Sequence, residues 1–185
     1  MSAAADVLAL LDVRPATLGT GQLVCVDGPS GSGKTTLAER LLDLSVLGEA
    51  AVVRLDDLYD GWHGLSTVES QLAGLLEPLA AGAPGHYRRY DWHAGRFAGT
   101  VTVDPVPLLV LEGVGSGSAR FAELVTVLVW VEAPLDVRRR RGLARDGDSF
   151  APHWESWAKA ERDHFAAQRT RERADLIVDG TRGLA

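Results

Sequence analysis

The chain predicts an α/β fold with a five-stranded parallel sheet flanked by helices. Three observations carry that prediction. Five short apolar runs are spread along the sequence, and four helical patterns stand among them. The runs are nearly continuous rather than alternating, as expected of strands buried on both faces of a parallel sheet. Helical patterns between such strands supply the crossovers that parallel neighbours need.

The elements follow in order. "MSAAADVLALLDVRP" reads as an amphipathic helix; it lacks a basic flank and carries Asp6 and Asp12, which argues against a secretory signal. Strand "QLVCVDG" (22–28) precedes the helical "GKTTLAERLLDL", and "AAVVRLDD" (50–57) precedes "TVESQLAGLLEPLAAG". A break in rhythm comes next, at about 84–105, where "HYRRYDW" and "TVTV" flank a glycine-containing turn and predict a β-hairpin inserted off the main sheet. "PLLVLEG" (107–113) and "VTVLVWVE" (125–132) are the third and fourth strands. The helical "LDVRRRRGLARDG" forms an arginine-rich lid at about 134–150, and "HWESWAKAERDHFAAQRTRERA" leads into the last strand, "ADLIVDG" (174–180).

The 185 residues suit one domain with a substantial core, and 46% hydrophobic with 24% charged residues is ordinary for a globular protein. A formal charge of -6 argues against non-specific nucleic-acid binding. The single Cys25 excludes an intrachain disulfide and reads as a small buried hydrophobe. No segment reaches the roughly 18 uninterrupted apolar residues of a membrane span. A cytoplasmic protein is expected, with homo-oligomerisation left open.

The most specific motif is Gly28-Pro29-Ser30-Gly31-Ser32-Gly33-Lys34-Thr35, which satisfies G-x-x-x-x-G-K-[ST] between a strand and a helix. The pattern is that of a phosphate-binding loop, the other reading being a glycine-rich turn with an incidental Lys-Thr pair. Its glycines let successive backbone N–H groups curl around an anion, and the helix that follows adds the positive end of its dipole. Lys34 is expected on the β- and γ-phosphates of ATP, Thr35 on Mg²⁺, and Thr36 in the first helical turn beside the nucleotide. A GTPase would need a base-reading N-K-x-D element, and the chain has none. A large ATPase would normally be longer than this chain, and a small-molecule kinase would need a carboxylate beside the acceptor hydroxyl and cations over the transferring phosphate.

Asp56 ends the second strand, at the sheet edge where parallel α/β folds bind ligands. It either accepts the acceptor's proton or holds Mg²⁺, or it caps a turn. Glu112 ends the third strand near the metal position, and Asp27 reads as support for the loop. Asp57 and Asp60 read as solvated. Helical spacing puts Arg138, Arg141 and Arg145 on one face, which serves as a solvated surface, a nucleic-acid patch or, as the phosphate loop favours, a phosphate-covering lid. Trp154 and Trp157 share a helix face and form either core or an aromatic wall for the acceptor; Trp62, Tyr87, Tyr90 and Trp92 raise the same possibility from the other side.

Taken together, "DGPSGSGKTTLA", "RLDDLY", "YRRYDWHAGRFAGTVTV", "LLVLEGV", "APLDVRRRRGLARD" and "ADLIVDG" resemble the uridine kinase branch of P-loop kinases from about Leu23 to Gly180. The resemblance implies ATP-dependent transfer to a hydroxyl of a small molecule, with a uridine- or cytidine-like nucleoside as acceptor. It implies Asp56 as base, Tyr59 in the acceptor pocket with Leu58 replacing the family's Phe, and Tyr90, Asp91, His93 and Arg96 as the hairpin's contribution. The lid arginines of the family resemble Arg138, Arg141 and Arg145. The family's Asp-His-Pro-x-Ala-Phe-Asp stretch has no counterpart, "GLSTVESQ" standing in its place, and the second lid arginine cluster is missing. A kinase for another metabolite or a nucleoside monophosphate, and a non-catalytic ATP-binding regulator, therefore stay open as alternatives.

Overall fold

A computed structural model describes residues 2–45 and 49–182. Its main sheet is five-stranded and parallel: β1 (Gln22–Asp27), β2 (Ala50–Arg54), β5 (Leu108–Glu112), β6 (Val127–Glu132) and β7 (Leu176–Asp179), in the order β2-β5-β1-β6-β7. β3 (Gly85–Asp91) and β4 (Arg96–Val103) form the separate antiparallel hairpin. The helices are α1 (Ala3–Val13), α2 (Lys34–Leu44), α3 (Val68–Ala80), α4 (Leu135–Asp146), α5 (Trp154–Gln168) and the short α6 (Thr170–Arg173).

Side-chain alternation divides the core into two layers. From β1, Leu23 and Cys25 join Leu109, Leu111 and Leu128 on the face covered by α3 and α5. Val24 and Val26 join Val110, Val127 and Val129 on the opposite face, under α1 and α2. Both faces of β1 are fully buried, which is why its sequence shows no polar alternation. Burial of Cys25 pushes its thiol well above the ordinary range, which leaves it an unreactive filler of the core.

Two boundaries differ from the expectation. The second strand stops at Arg54, and Leu55–Asp57 turn into a 3₁₀ segment closed by Leu58 and Tyr59 N–H groups on the Leu55 carbonyl. Asp is a poor strand residue and a good turn residue, so Asp56 sits in the turn beyond the strand end. The long last helix breaks at Arg169, whose φ of 50° lies in the left-handed region, before α6 resumes.

The hairpin docks on α3. Gln71 makes two bonds with the Arg88 backbone, donating to its carbonyl at 3.3 Å and accepting its N–H at 3.1 Å, while Tyr87 is buried. At the hairpin tip Asp91 accepts the His93 and Ala94 N–H groups at 2.9 Å each. Trp92 donates its indole N–H to the Asp56 carbonyl at 2.9 Å, tying the hairpin to the turn after β2.

Candidate active site

The loop between β1 and α2 is held by groups that local sequence does not reveal. Gly31 has φ 76°, and a Cβ there would run into the Arg138 backbone carbonyl, so glycine is required both by conformation and by the close approach of α4. Beneath the loop, Asp27 is fully buried and accepts the N–H groups of Gly28, Gly115 and Gly117 at 2.7–2.9 Å. Burial raises its carboxyl, against the lowering effect of those bonds and of Lys34. Asp27 thus fastens the loop to the turn after β5.

A cavity of about 190 Å³ opens over the loop, lined by Ser30, Gly31, Gly33, Lys34, Thr35 and Thr36 together with Asp56, Glu112, Arg141 and Arg145. Gly28 lies behind it at the end of β1, and Ser32 is buried, with its carbonyl 3.5 Å from Arg141. The Lys34 ammonium donates to the Pro29 carbonyl at 3.1 Å. The Thr35 hydroxyl donates to Glu112 at 3.3 Å, and Arg54 stands 3.8 Å from the same carboxylate oxygen. Burial raises the Glu112 carboxyl, while Lys34 lowers it and Asp56 raises it further.

A second cavity of about 570 Å³ adjoins the first and shares Ser30, Asp56 and Arg145 with it. Its walls are aromatic: Tyr59, Trp62, Trp92, His93, Phe150 and Trp157. Trp62 is held flat, stacked on Phe150 at 5.1 Å and on His153 at 4.8 Å between ring centres. Tyr59 is buried and donates its hydroxyl to the Val114 carbonyl at 2.8 Å, so it offers the cavity a ring surface rather than a polar tip. Burial raises its phenol well above 10.

The predicted residues therefore divide. Tyr59, Trp62 and His93 line the second cavity; Tyr90, Asp91, Arg96 and Trp154 do not. Tyr90 packs edge-on against Trp92 and Phe97, supporting the wall from behind. Asp91 is used up in the hairpin turn, and Arg96 is exposed beside it on β4. Trp154 is buried against Phe150, whereas Trp157, on the same face of α5, lines the cavity and donates its N–H to Ser30 at 2.9 Å. Asp57, expected to be solvated, lines the cavity half-buried, and that burial raises its carboxyl.

The lid arginines also separate. Arg145 lies 3.8 Å from Asp56 and faces both cavities. Arg141 lines the first cavity and donates to the Gly180 carbonyl at 3.0 Å. Arg138 is absent from both linings; it is anchored on the Ala133 carbonyl at 3.2 Å and the Ser30 carbonyl at 3.4 Å. The residue that sequence reasoning missed is Glu161. It is buried on the stripe Trp154, Trp157, Ala158, Glu161, and an acid on an otherwise apolar i, i+3, i+4, i+7 stripe is the signal that marks it.

The chain and its fold have counterparts among known proteins. No family model matches the chain. It is 28% identical over 145 residues to a uridine kinase of Brevibacillus brevis, covering 70% of this chain and 68% of the relative. It is 26% identical over 189 residues to a uridine kinase of Limosilactobacillus reuteri, covering 89% and 83%. Among solved structures, a "Possible Uridine Kinase" from Bacillus stearothermophilus superposes with a TM-score of 0.64 at 21% identity, covering 95% of this chain and 97% of that one. A D-glycerate 3-kinase from Cryptococcus neoformans superposes with a TM-score of 0.55 at 16% identity, over 89% and 86%. The chain thus has the P-loop kinase fold and resembles the uridine kinase-like P-loop kinases in both sequence and architecture.

Proposed function

We propose that the protein transfers the γ-phosphoryl group of ATP to a hydroxyl of a small molecule, with a uridine- or cytidine-like nucleoside as the favoured acceptor class. The observation that carries this reading is the position of Asp56 on the seam between the two cavities, lining both the phosphate loop's cavity and the aromatic one. A carboxylate there meets the hydroxyl of a molecule bound on one side and the terminal phosphate bound on the other, as general-base catalysis of transfer requires.

In this reading the amides of Gly31, Gly33, Lys34 and Thr35 and the Lys34 ammonium hold the phosphates, and Arg141 and Arg145 cover the charge that develops on the transferring group. The donor set suits Mg²⁺, since the Thr35 hydroxyl and the Glu112 carboxylate are hard oxygen ligands 3.3 Å apart, with Asp56 across the same cavity. Thr35 and Glu112 would hold the ion, which leaves the Asp56 carboxylate to the acceptor's proton. When bound, the ion neutralises phosphate charge. The aromatic walls accept a flat, apolar-faced acceptor, and Asp57 and His93 offer polar contacts at its rim. Among the described residues no helix is long and apolar enough to cross a membrane.

A different hydroxylated metabolite is the second reading, supported by "GLSTVESQ" where the nucleoside kinases carry their ribose-binding acid. ADP release measured across a panel of nucleosides, nucleoside monophosphates, sugars and hydroxy acids separates the readings. A nucleoside that stimulates release well above water supports the first. Stimulation by another class alone favours the second, and none at all leaves a nucleotide-binding regulator.

A further inference from the structure

Glu161 is a buried acidic residue, 2% exposed, placed directly against the phosphate-binding loop. Its Oε1 accepts the Ser30 backbone N–H at 2.8 Å and the Trp157 indole N–H at 2.8 Å. The other oxygen lies 3.7 Å from the Arg138 guanidinium, which also donates to the Ser30 carbonyl. The Trp157 N–H is shared with the Ser30 hydroxyl at 2.9 Å. Ser30 is thereby gripped at its N–H, its hydroxyl and its carbonyl by α4 and α5.

We propose that Glu161 is a positioning residue that sets the loop for the terminal phosphate, by withdrawing the Ser30 amide from the anion-binding set and fixing Arg138 beside it. An N–H committed to a buried carboxylate does not turn toward a phosphate, so the anion nest begins at Gly31. Ser30 lies at the seam of the two cavities, where the transferring group must sit. Release of that grip therefore disturbs the end of the site nearest the acceptor and spares the end near Lys34 and Thr35. Asp27 is the contrast: it bonds Gly28 and the turn after β5, and serves the loop's attachment only.

This inference rests on the nucleotide-binding reading, and calorimetry with two probes keeps the two apart. Mg·ADP reports the inner phosphates, and Mg·AMPPNP adds the third. Glu161→Leu, which removes both carboxylate oxygens, is expected to keep the ADP dissociation constant within about threefold while weakening AMPPNP about tenfold or more. If E161L is folded and binds both as the parent does, or loses both equally, the positioning role is overturned. If E161L does not fold, Trp157→Phe replaces it: a selective loss for AMPPNP supports the role, and unchanged binding of both or an equal loss of both overturns it. A parent chain that binds neither probe takes down the nucleotide reading itself, and this inference with it.

Discussion

The carboxylate of Asp56 and the guanidinium of Arg145 stand 3.8 Å apart at the seam between the phosphate cavity and the aromatic cavity. Both side chains are more than half exposed, so the pair itself adds little to stability. Its importance is positional: a group suited to taking a proton and a group suited to covering phosphate charge are brought together where their ligands would meet.

Asp56→Asn keeps the shape of that seam and removes the carboxylate proposed as the base. Phosphoryl transfer is expected to fall by about 10²–10⁴-fold. ATP affinity, which rests on the loop, should stay close to that of the parent. Steady-state kinetics with an acceptor found in the panel checks this, and an unchanged turnover removes Asp56 from the base role.

Gly31→Ala places a side chain at φ 76° and against the Arg138 carbonyl. The backbone strain alone costs about 1–3 kcal/mol, and the clash pushes α4 off the loop. ATP should no longer raise the melting temperature. Gly95→Ala is the control: it has φ 64° with nothing near the added carbon, so the variant bears the conformational cost while nucleotide binding persists.

Glu112 gives a pH-dependent expectation. Burial raises its carboxyl above the ordinary 4.5, so the folded chain holds that proton more tightly than the unfolded chain does. The proton's stabilising effect is complete below the ordinary value and vanishes as pH climbs through the raised one. Without nucleotide or metal, Glu112→Gln should melt higher than the parent at neutral pH, and the gap should close in acid below the ordinary carboxylate value. Thermal melts across that window test it; a variant that is no more stable at neutral pH contradicts the burial argument.

Tyr59→Phe deletes the donor to the Val114 carbonyl, 2.8 Å away in the core. A buried carbonyl left without its partner costs about 1–2 kcal/mol. In a chain of this size that is a fall of about 2–8 °C in melting temperature. The ring still lines the aromatic cavity, so turnover should change far less than in the Asp56 variant.

Much of the fold is legible in short windows. The apolar runs of β1, β5 and β6 announce buried parallel strands, since both faces of each are covered and no polar alternation intervenes. The loop is legible for the same reason: its glycine spacing and the Lys34-Thr35 pair act within eight residues, between a strand and a helix that are themselves local patterns. The hairpin, too, follows from alternation and a turn, although its Asp91 serves that turn and its Trp92 reaches Asp56.

The walls of the acceptor cavity were not settled by periodicity. Trp154 and Trp157 share a helix face, yet one packs against Phe150 and the other bonds Ser30. The packing of α5 against the loop brings Glu161 to the Ser30 amide across 131 residues of chain. The sequence by itself determined the parallel sheet, the phosphate loop and the acid after β2, because backbone conformation and burial period are encoded locally. Tertiary structure alone decided which aromatic faces the acceptor, which arginine meets Asp56 and which carboxylate holds the loop. Those contacts depend on the relative placement of distant helices, which no local spacing records.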